Sequence, residues 1–215
     1  MEITTNNNIE LSIDKAIVAN MPRVEFHGNI TLVDTVEKVA PAVEVLGRAS
    51  VVGFDTETRP SFRKGQVNHV ALMQISTDEE CFLFRLNRIG MTNALRAFIE
   101  NADITKVGLS LRDDFTVMHR SDNFAPAGFI DLQNLVKQYN IADLALQRIY
   151  AILFGERISK HQRLTNWEAD VLTPAQQTYA AIDAWACLRI YKYLKSGDFD
   201  PTASPYIRHT EANEE

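Results

Sequence analysis

The chain has 215 residues, 46% of them hydrophobic and 23% charged, enough for one sizeable domain with a buried core. A formal charge of −6 argues against a protein that coats nucleic acid through bulk charge, though not against an enzyme that grips a strand locally. The two cysteines, Cys81 and Cys187, lie in apolar runs and read as reduced core thiols. There is no CxxC pair for zinc, no signal pattern in MEITTNNNIELS and no run near the ~18 apolar residues of a membrane span. The expectation is a cytoplasmic chain with no membrane partner.

Residues 1–22 read as an N-terminal arm with a short helical stretch near Ile13 to Ala19, ended before Pro22. Arg23 to Val33 alternates as a strand would (Val24, Phe26, Ile30, Leu32). Asp34 and Glu37 open a helix through Val36, Val39, Val43, Val45 and Leu46, in which Pro41 implies a kink or a late start. Val51 to Phe54, with no charge and β-branched at its start, reads as a buried strand running into Asp55-Thr56-Glu57-Thr58. A basic link follows, then a strand over Val67 to Ser76, a turn at Asp78-Glu79-Glu80 and a strand over Phe82 to Phe84. Thr92 to Ile99 is helical, Ile104 to Gly108 a strand and Arg112 to Arg120 a helix. Ile130 closes a fifth core strand, and Asp131 caps the next helix (Leu132, Leu135, Val136, Tyr139) with no further role. A helix over Asp143 to Phe154 and a polar connection over 155–170 come next. Thr173-Pro174-Ala175-Gln176 then places Thr at the N-cap, Pro at N1 and Gln at N3 of a helix to about Lys195, with Gly197 at its C-cap. Residues 196–215 have no apolar period and read as a loosely held tail. The order predicts an α/β fold with a central mixed five-stranded sheet flanked by helices.

Asp55 and Glu57 are two apart, so an extended strand projects both carboxylates from one face, roughly 7 Å apart. Two acids at the end of a core strand are costly to desolvate unless a cation sits between them, and a hard divalent ion prefers carboxylate oxygen. Asp-x-Glu at a strand end is ordinarily a solvated turn, so the metal reading depends on ligands from elsewhere. Tyr179 and Asp183 are four apart on the capped helix and share a face. Ala180, Ala181, Ala184 and Ala186 around them allow close approach to a sheet. On the Arg112 helix, at 100° per residue, Asp114 falls about 30° from the centre of the apolar arc and Asp113 falls opposite, so Asp114 faces inward and Asp113 is solvated.

The order Asp-x-Glu, Asp, Tyr-x-x-x-Asp resembles that of the DEDDy 3′→5′ exonucleases of the RNase H-like superfamily, the group of RNase D and the Werner-syndrome exonuclease domain. The resemblance covers residues 24–195 and includes FRKGQVNHVALMQIS, KVGLSLRDDF and RLTNWEADVLTPAQQTYAAIDAWA. It implies an RNase H-like exonuclease domain over 23–195, expected here as the catalytic module alone. One departure is that Asp170 and Val171 stand where RNase D usually has Arg-Pro, which leaves the choice of RNA open.

The resemblance implies hydrolysis with two divalent cations, Mg²⁺ or Mn²⁺, ~4 Å apart and clamping an in-line displacement. Asp55, Glu57 and Asp183 would be direct ligands, with Asp55 bridging, and Asp114 would complete the second site. Tyr179 would orient the attacking water, since a phenol of pKa ≈ 10 is a poor base. No small-molecule cofactor is expected. The substrate would be a single-stranded or recessed 3′ end of DNA or RNA, released as nucleoside 5′-monophosphates. Local grip would come from Thr56 and from nine basic residues beside the three motifs: Arg59, Arg63, Lys64, Arg112, His119, Arg120, Lys160, His161 and Arg163. Phe62 and Trp167 are candidates for stacking on terminal bases, Trp167 equally for core packing. The alternative is a catalytically silent module that binds nucleic acid or a protein.

Overall fold

The computed structural model describes residues 9–61 and 68–209. In chain order they form β1 (Ile9–Leu11), α1 (Lys15–Ala19), β2 (Asn29–Val33), α2 (Val39–Leu46), β3 (Val51–Thr58), β4 (Val70–Ser76), β5 (Glu80–Phe84), α3 (Leu86–Ile89), α4 (Asn93–Ile99), β6 (Thr105–Gly108), α5 (Leu111–Met118), β7 (Phe129–Asp131), α6 (Leu132–Leu135), α7 (Leu146–Phe154), α8 (Pro174–Ser196) and β8 (Ile207–His209). Three 3-10 turns, at Val36–Lys38, Val136–Tyr139 and Pro201–Ala203, complete the set. Pro41 does delay its helix: the first turn is 3-10 and the α-helix begins at Val39, so Pro41 falls where a helix lacks N–H partners anyway.

The central sheet is mixed, in the order β2-β5-β4-β3-β6-β7. It has six strands, not the expected five. The extra edge strand is the end of the Arg23–Val33 segment, which pairs parallel to β5 only from Asn29 onward. Before Asn29 the chain leaves the sheet, and Val24 N–H instead donates to the carbonyl of Arg157, 3.1 Å away. Period-2 alternation divides the work of β3 between its faces. Val52 and Phe54 enter the core made with α2, α4 and α5. Gly53, Asp55 and Glu57 face the other way, toward α8.

The approach of α8 is set by Gly53. A Cβ there would lie 1.9 Å from the carbonyl oxygen of Ala184, so a side chain at 53 and this packing exclude each other. The cap of α8 forms as the sequence predicts: the Thr173 hydroxyl accepts from Gln176 N–H, and the Gln176 side chain accepts from Thr173 N–H at 3.0 Å. Gly197 closes the helix in the left-handed region, with φ 84°.

The expected arm and the expected loose tail are tied to each other. β1 and β8 pair antiparallel, Leu11 opposite Ile207. Leu11 and Ile13 are fully buried, and Ile13 N–H donates to the Asp143 carboxylate at 2.9 Å. Phe199 packs between Tyr139 and Tyr193, with ring centroids 6.2 and 5.9 Å away. The described part of the tail is held by the β1–β8 pair and by the Phe199 ring rather than by a helix face, and so it needs no apolar period. Both cysteines are buried and free, and among the described residues no helix is long and apolar enough to cross a membrane.

Candidate active site

Three carboxylates converge where β3 passes under α8. Ligand oxygens of Asp55, Glu57 and Asp183 all lie within 4.8 Å of one another. Asp55 is partly exposed at the floor of the site, while Glu57 and Asp183 are buried. The strand period puts the first two on one face, and the Gly53 contact lowers α8 until the third joins them.

Asp114 comes from the opposite layer. Thr56 points to that layer because it alternates with Asp55 and Glu57, and its hydroxyl donates to Asp114 Oδ1. Asp114 is half-buried and Asp113 exposed, the division that the helical arc predicts. Thr56, Glu57 and Asp114 line a cavity of about 290 Å³, with Arg163 and Leu164 at its mouth.

Burial, then the negative charges of Asp183, Asp114 and Glu57, hold Asp55 well above the usual carboxylate range. Burial and Asp183 push Glu57 up to about 9, with Arg163 pulling the other way. Asp183 is pushed up to about 7 by burial, against the Tyr179 hydroxyl and the charges of Lys160 and Arg163. Asp114 is pushed up to about 6 by burial, against its bond from Thr56. The phenol of Tyr179 is raised by burial, then by Asp183 and Glu57, so it stays protonated and can orient but not abstract.

The donor set suits a hard divalent cation. Its atoms are carboxylate oxygens at close range, held protonated or repelled without a cation, and Asp183 Oδ1 is buried with no hydrogen-bond partner among the described residues. Such an atom is expected where a metal completes the site.

Two residues beside the site escape a sequence reading. Gln74 lies directly opposite Asp55 on β4, fully buried, and neither atom of its amide has a partner among the described residues. The sequence signal is a lone amide in the apolar run VALMQIS. Asp131 does more than cap α6: besides accepting from Gln133 N–H at 2.8 Å, it accepts from Ser110 and Leu111 N–H at 3.2 and 3.0 Å. It thereby fixes the start of α5, where Ser110 is left-handed at φ 63°, and so the helix that carries Asp114. No spacing in the sequence signals that link.

The expected strand contacts fare unevenly. Trp167 cannot stack on a base: it is fully buried, packed 6.0 Å from the Tyr179 ring, because Arg85 pulls its loop inward by donating to the carbonyl of Ala169 at 2.5 Å. Arg59 pairs with Glu168 at 3.2 Å, and Thr56 spends its hydroxyl on Asp114. His119 turns back onto Phe124, 4.5 Å between ring centroids. Lys160 and Arg163 are exposed to solvent in part, and their charges act on Asp183. Phe62, Arg63 and Lys64 lie outside the described residues.

Residues 30–197 match the 3′-5′ exonuclease family profile. A 3′-5′ exonuclease of Arabidopsis thaliana is 30% identical over 192 residues, covering 82% of this chain and 67% of that protein. The bifunctional 3′-5′ exonuclease/ATP-dependent helicase WRN of Mus musculus is 28% identical over 197 residues, which is 87% of this chain but only 14% of the mouse protein. The crystal structure of RNase D from Escherichia coli, an exoribonuclease involved in structured RNA processing, superposes with a TM-score of 0.71 at 24% identity. It covers 78% of this chain and 44% of that one, a likeness of fold.

Proposed function

The chain belongs to the 3′-5′ exonuclease family, whose members are metal-dependent nucleases, and from that premise we propose that it removes single nucleotides from the 3′ end of a DNA or RNA strand. The observation that carries this reading is the meeting of Asp183 with Asp55 and Glu57 beneath α8, with one Asp183 oxygen buried and unpartnered among the described residues. Asp55, Glu57 and Asp183 would hold a divalent cation, Mg²⁺ or Mn²⁺, and Asp114 would help to hold a second. Such cations, when bound, lower the pKa of water and stabilise charge on the departing oxygen.

The rest falls to the chain's own side chains. Tyr179, pinned by Trp167, keeps its proton and offers a fixed hydroxyl oxygen against which a water can be oriented. Thr56 and Asp131 keep Asp114 in place from two directions. Arg163 and Lys160 offset the negative charge of the incoming phosphate. In the reaction the water oxygen bonds to phosphorus and the P–O3′ bond breaks. The 3′ oxygen takes up a proton and stays on the shortened strand, and the released nucleotide keeps its 5′-phosphate.

End-labelled single-stranded and recessed DNA and RNA, incubated with Mg²⁺ or EDTA, test the reading beside an Asp55→Ala control. Metal-dependent release of 5′-mononucleotides by wild type alone is expected. Wild type and control equally inert on every substrate would leave a silent binding module. The same assay decides between ribose and deoxyribose.

A further inference from the structure

Beyond the acids, positive charge gathers in a second place. A groove of about 620 Å³ runs between α1 and the start of α7, and Lys15, Arg148, Arg157, Lys160 and His161 all line it. Among the described residues the one carboxylate that lines it, Asp143, is already used: it pairs with Arg148 and accepts from Ile13 N–H. Among the described residues no carboxylate pairs with Lys15, Lys160 or His161. In a chain of net charge −6 this is a local excess, not a bulk property.

The excess is felt inside the groove and at the acids. Burial lowers the pKa of Lys160, and the next causes are Arg163, Lys15 and Arg148, three cations near enough to oppose its charge. Asp183 acts on Lys160 in the opposite sense. Lys160 therefore stands between the two regions, one wall of the groove and one neighbour of the acid cluster, with Arg163 near it at the mouth of the acid cavity. A path of cations leads from the acids to the N-terminal segment. The first turn of α7, whose N-cap Ala145 has no side-chain cap, opens on the same groove and adds a field of the same sign.

We propose that this groove is a second binding site for the sugar–phosphate backbone of a single strand, holding phosphates upstream of the 3′ end that reaches the acids. The site rests on the exonuclease reading, and it gives the N-terminal segment a role: Asp143 and the β1–β8 pair fix α1, and α1 brings Lys15 to the groove. Contacts of this kind confer affinity and processivity without sequence preference. A dinucleotide would be too short to use them.

Lys15→Glu tests the groove, because Lys15 is exposed on α1 and far in sequence from the acid motifs. Arg148 is left in place, since its removal would strand Asp143. Anisotropy of a labelled single-stranded 20-mer in EDTA measures binding without turnover. The expected result is a Kd weakened about tenfold, equally for oligo-dT and oligo-U. The log Kd against log salt slope should be shallower by about 0.7 to 1.4, because an attraction to one phosphate gives way to a repulsion. Lys15→Arg restores both. In the presence of Mg²⁺, the ratio of 20-mer to dinucleotide turnover falls by a similar factor. An unchanged Kd and salt slope overturn the groove, whatever the activity. A wild type inert on both substrates overturns the exonuclease reading while the EDTA titration still decides the groove.

Discussion

The two halves of α8 each hold a cluster of buried or half-buried polar groups, and the clusters are built on opposite principles. Toward its C-terminal half, Arg189 pairs with Glu156 at 3.1 Å and donates to the Tyr150 hydroxyl, which in turn lies 3.3 Å from Glu156. Its guanidinium sits 4.2 Å over the Phe154 ring and 5.2 Å over Trp185. Donors, acceptors and charges match there, and nothing further is needed. Six residues earlier, Asp183 faces two more carboxylates with one oxygen unpartnered among the described residues. A closed cluster holds the fold together. An open one of single sign costs stability and is expected where a ligand completes it.

Exchanging one group in each half sharpens the contrast most. Asp183→Asn keeps the shape but removes a repelling charge and a ligand. Turnover of a labelled 3′ end should fall on the order of 10³-fold, while melting in EDTA rises by about 2 to 4 °C. Arg189→Leu should do the reverse, losing about 1 kcal/mol of stability with turnover unchanged, since its ion pair is partly exposed. If both variants lost stability and activity together, the two halves would not differ in kind.

Gly53→Ala attacks the geometry rather than the charge. The new methyl meets the carbonyl of Ala184, so α8 must rise and carry Asp183 away from Asp55. Urea melts should show a loss of about 1 to 3 kcal/mol, and displacement near 1 Å should cost activity about 10²-fold. A variant as active as wild type would show that the contact is not what sets the site.

Gln74→Leu is subtler. It removes two buried amide atoms without partners among the described residues, so the metal-free protein should be as stable or slightly more so. Turnover should nonetheless fall about tenfold, the usual effect of removing a group that orients a ligand. Unchanged turnover would make Gln74 a buried residue and no more.

Much of this is legible in the sequence because it rests on local periodicity. Alternation at Val51–Thr58 puts Asp55 and Glu57 on one face, a turn's spacing aligns Tyr179 with Asp183, and the Thr173 capping box marks where α8 starts. What cannot be read is what depends on partners distant in the chain. The edge strand β2 is defined by β5, and the tail by residues nearly two hundred positions earlier. Trp167 has two readings in the sequence, and only the pull of Arg85 on its loop decides for the core. Asp131 reads as an ordinary cap because its second pair of bonds goes back to Ser110 and Leu111.

The dependence of melting on pH tests the open cluster without any mutation. Glu57, Asp183 and Asp114 have folded-state pKa values of about 9, 7 and 6, all above their ordinary values of 4.5 and 3.8. Groups shifted upward stabilise the fold fully below their unfolded values, and that contribution is lost as pH rises through the folded ones. In EDTA the melting temperature should therefore decline from pH 5 to pH 8. Lys106, buried on β6 and lowered to about 8, contributes the opposite slope between about 8 and 10.5, so the measurement stops at 8. Saturating Mn²⁺ binds the deprotonated carboxylates and should flatten or invert the decline. A melting temperature level from pH 5 to 8 in EDTA and unmoved by Mn²⁺ would mean that the carboxylates beneath α8 neither repel one another nor wait for a cation, and the distinction between the two halves of the helix would fall with it.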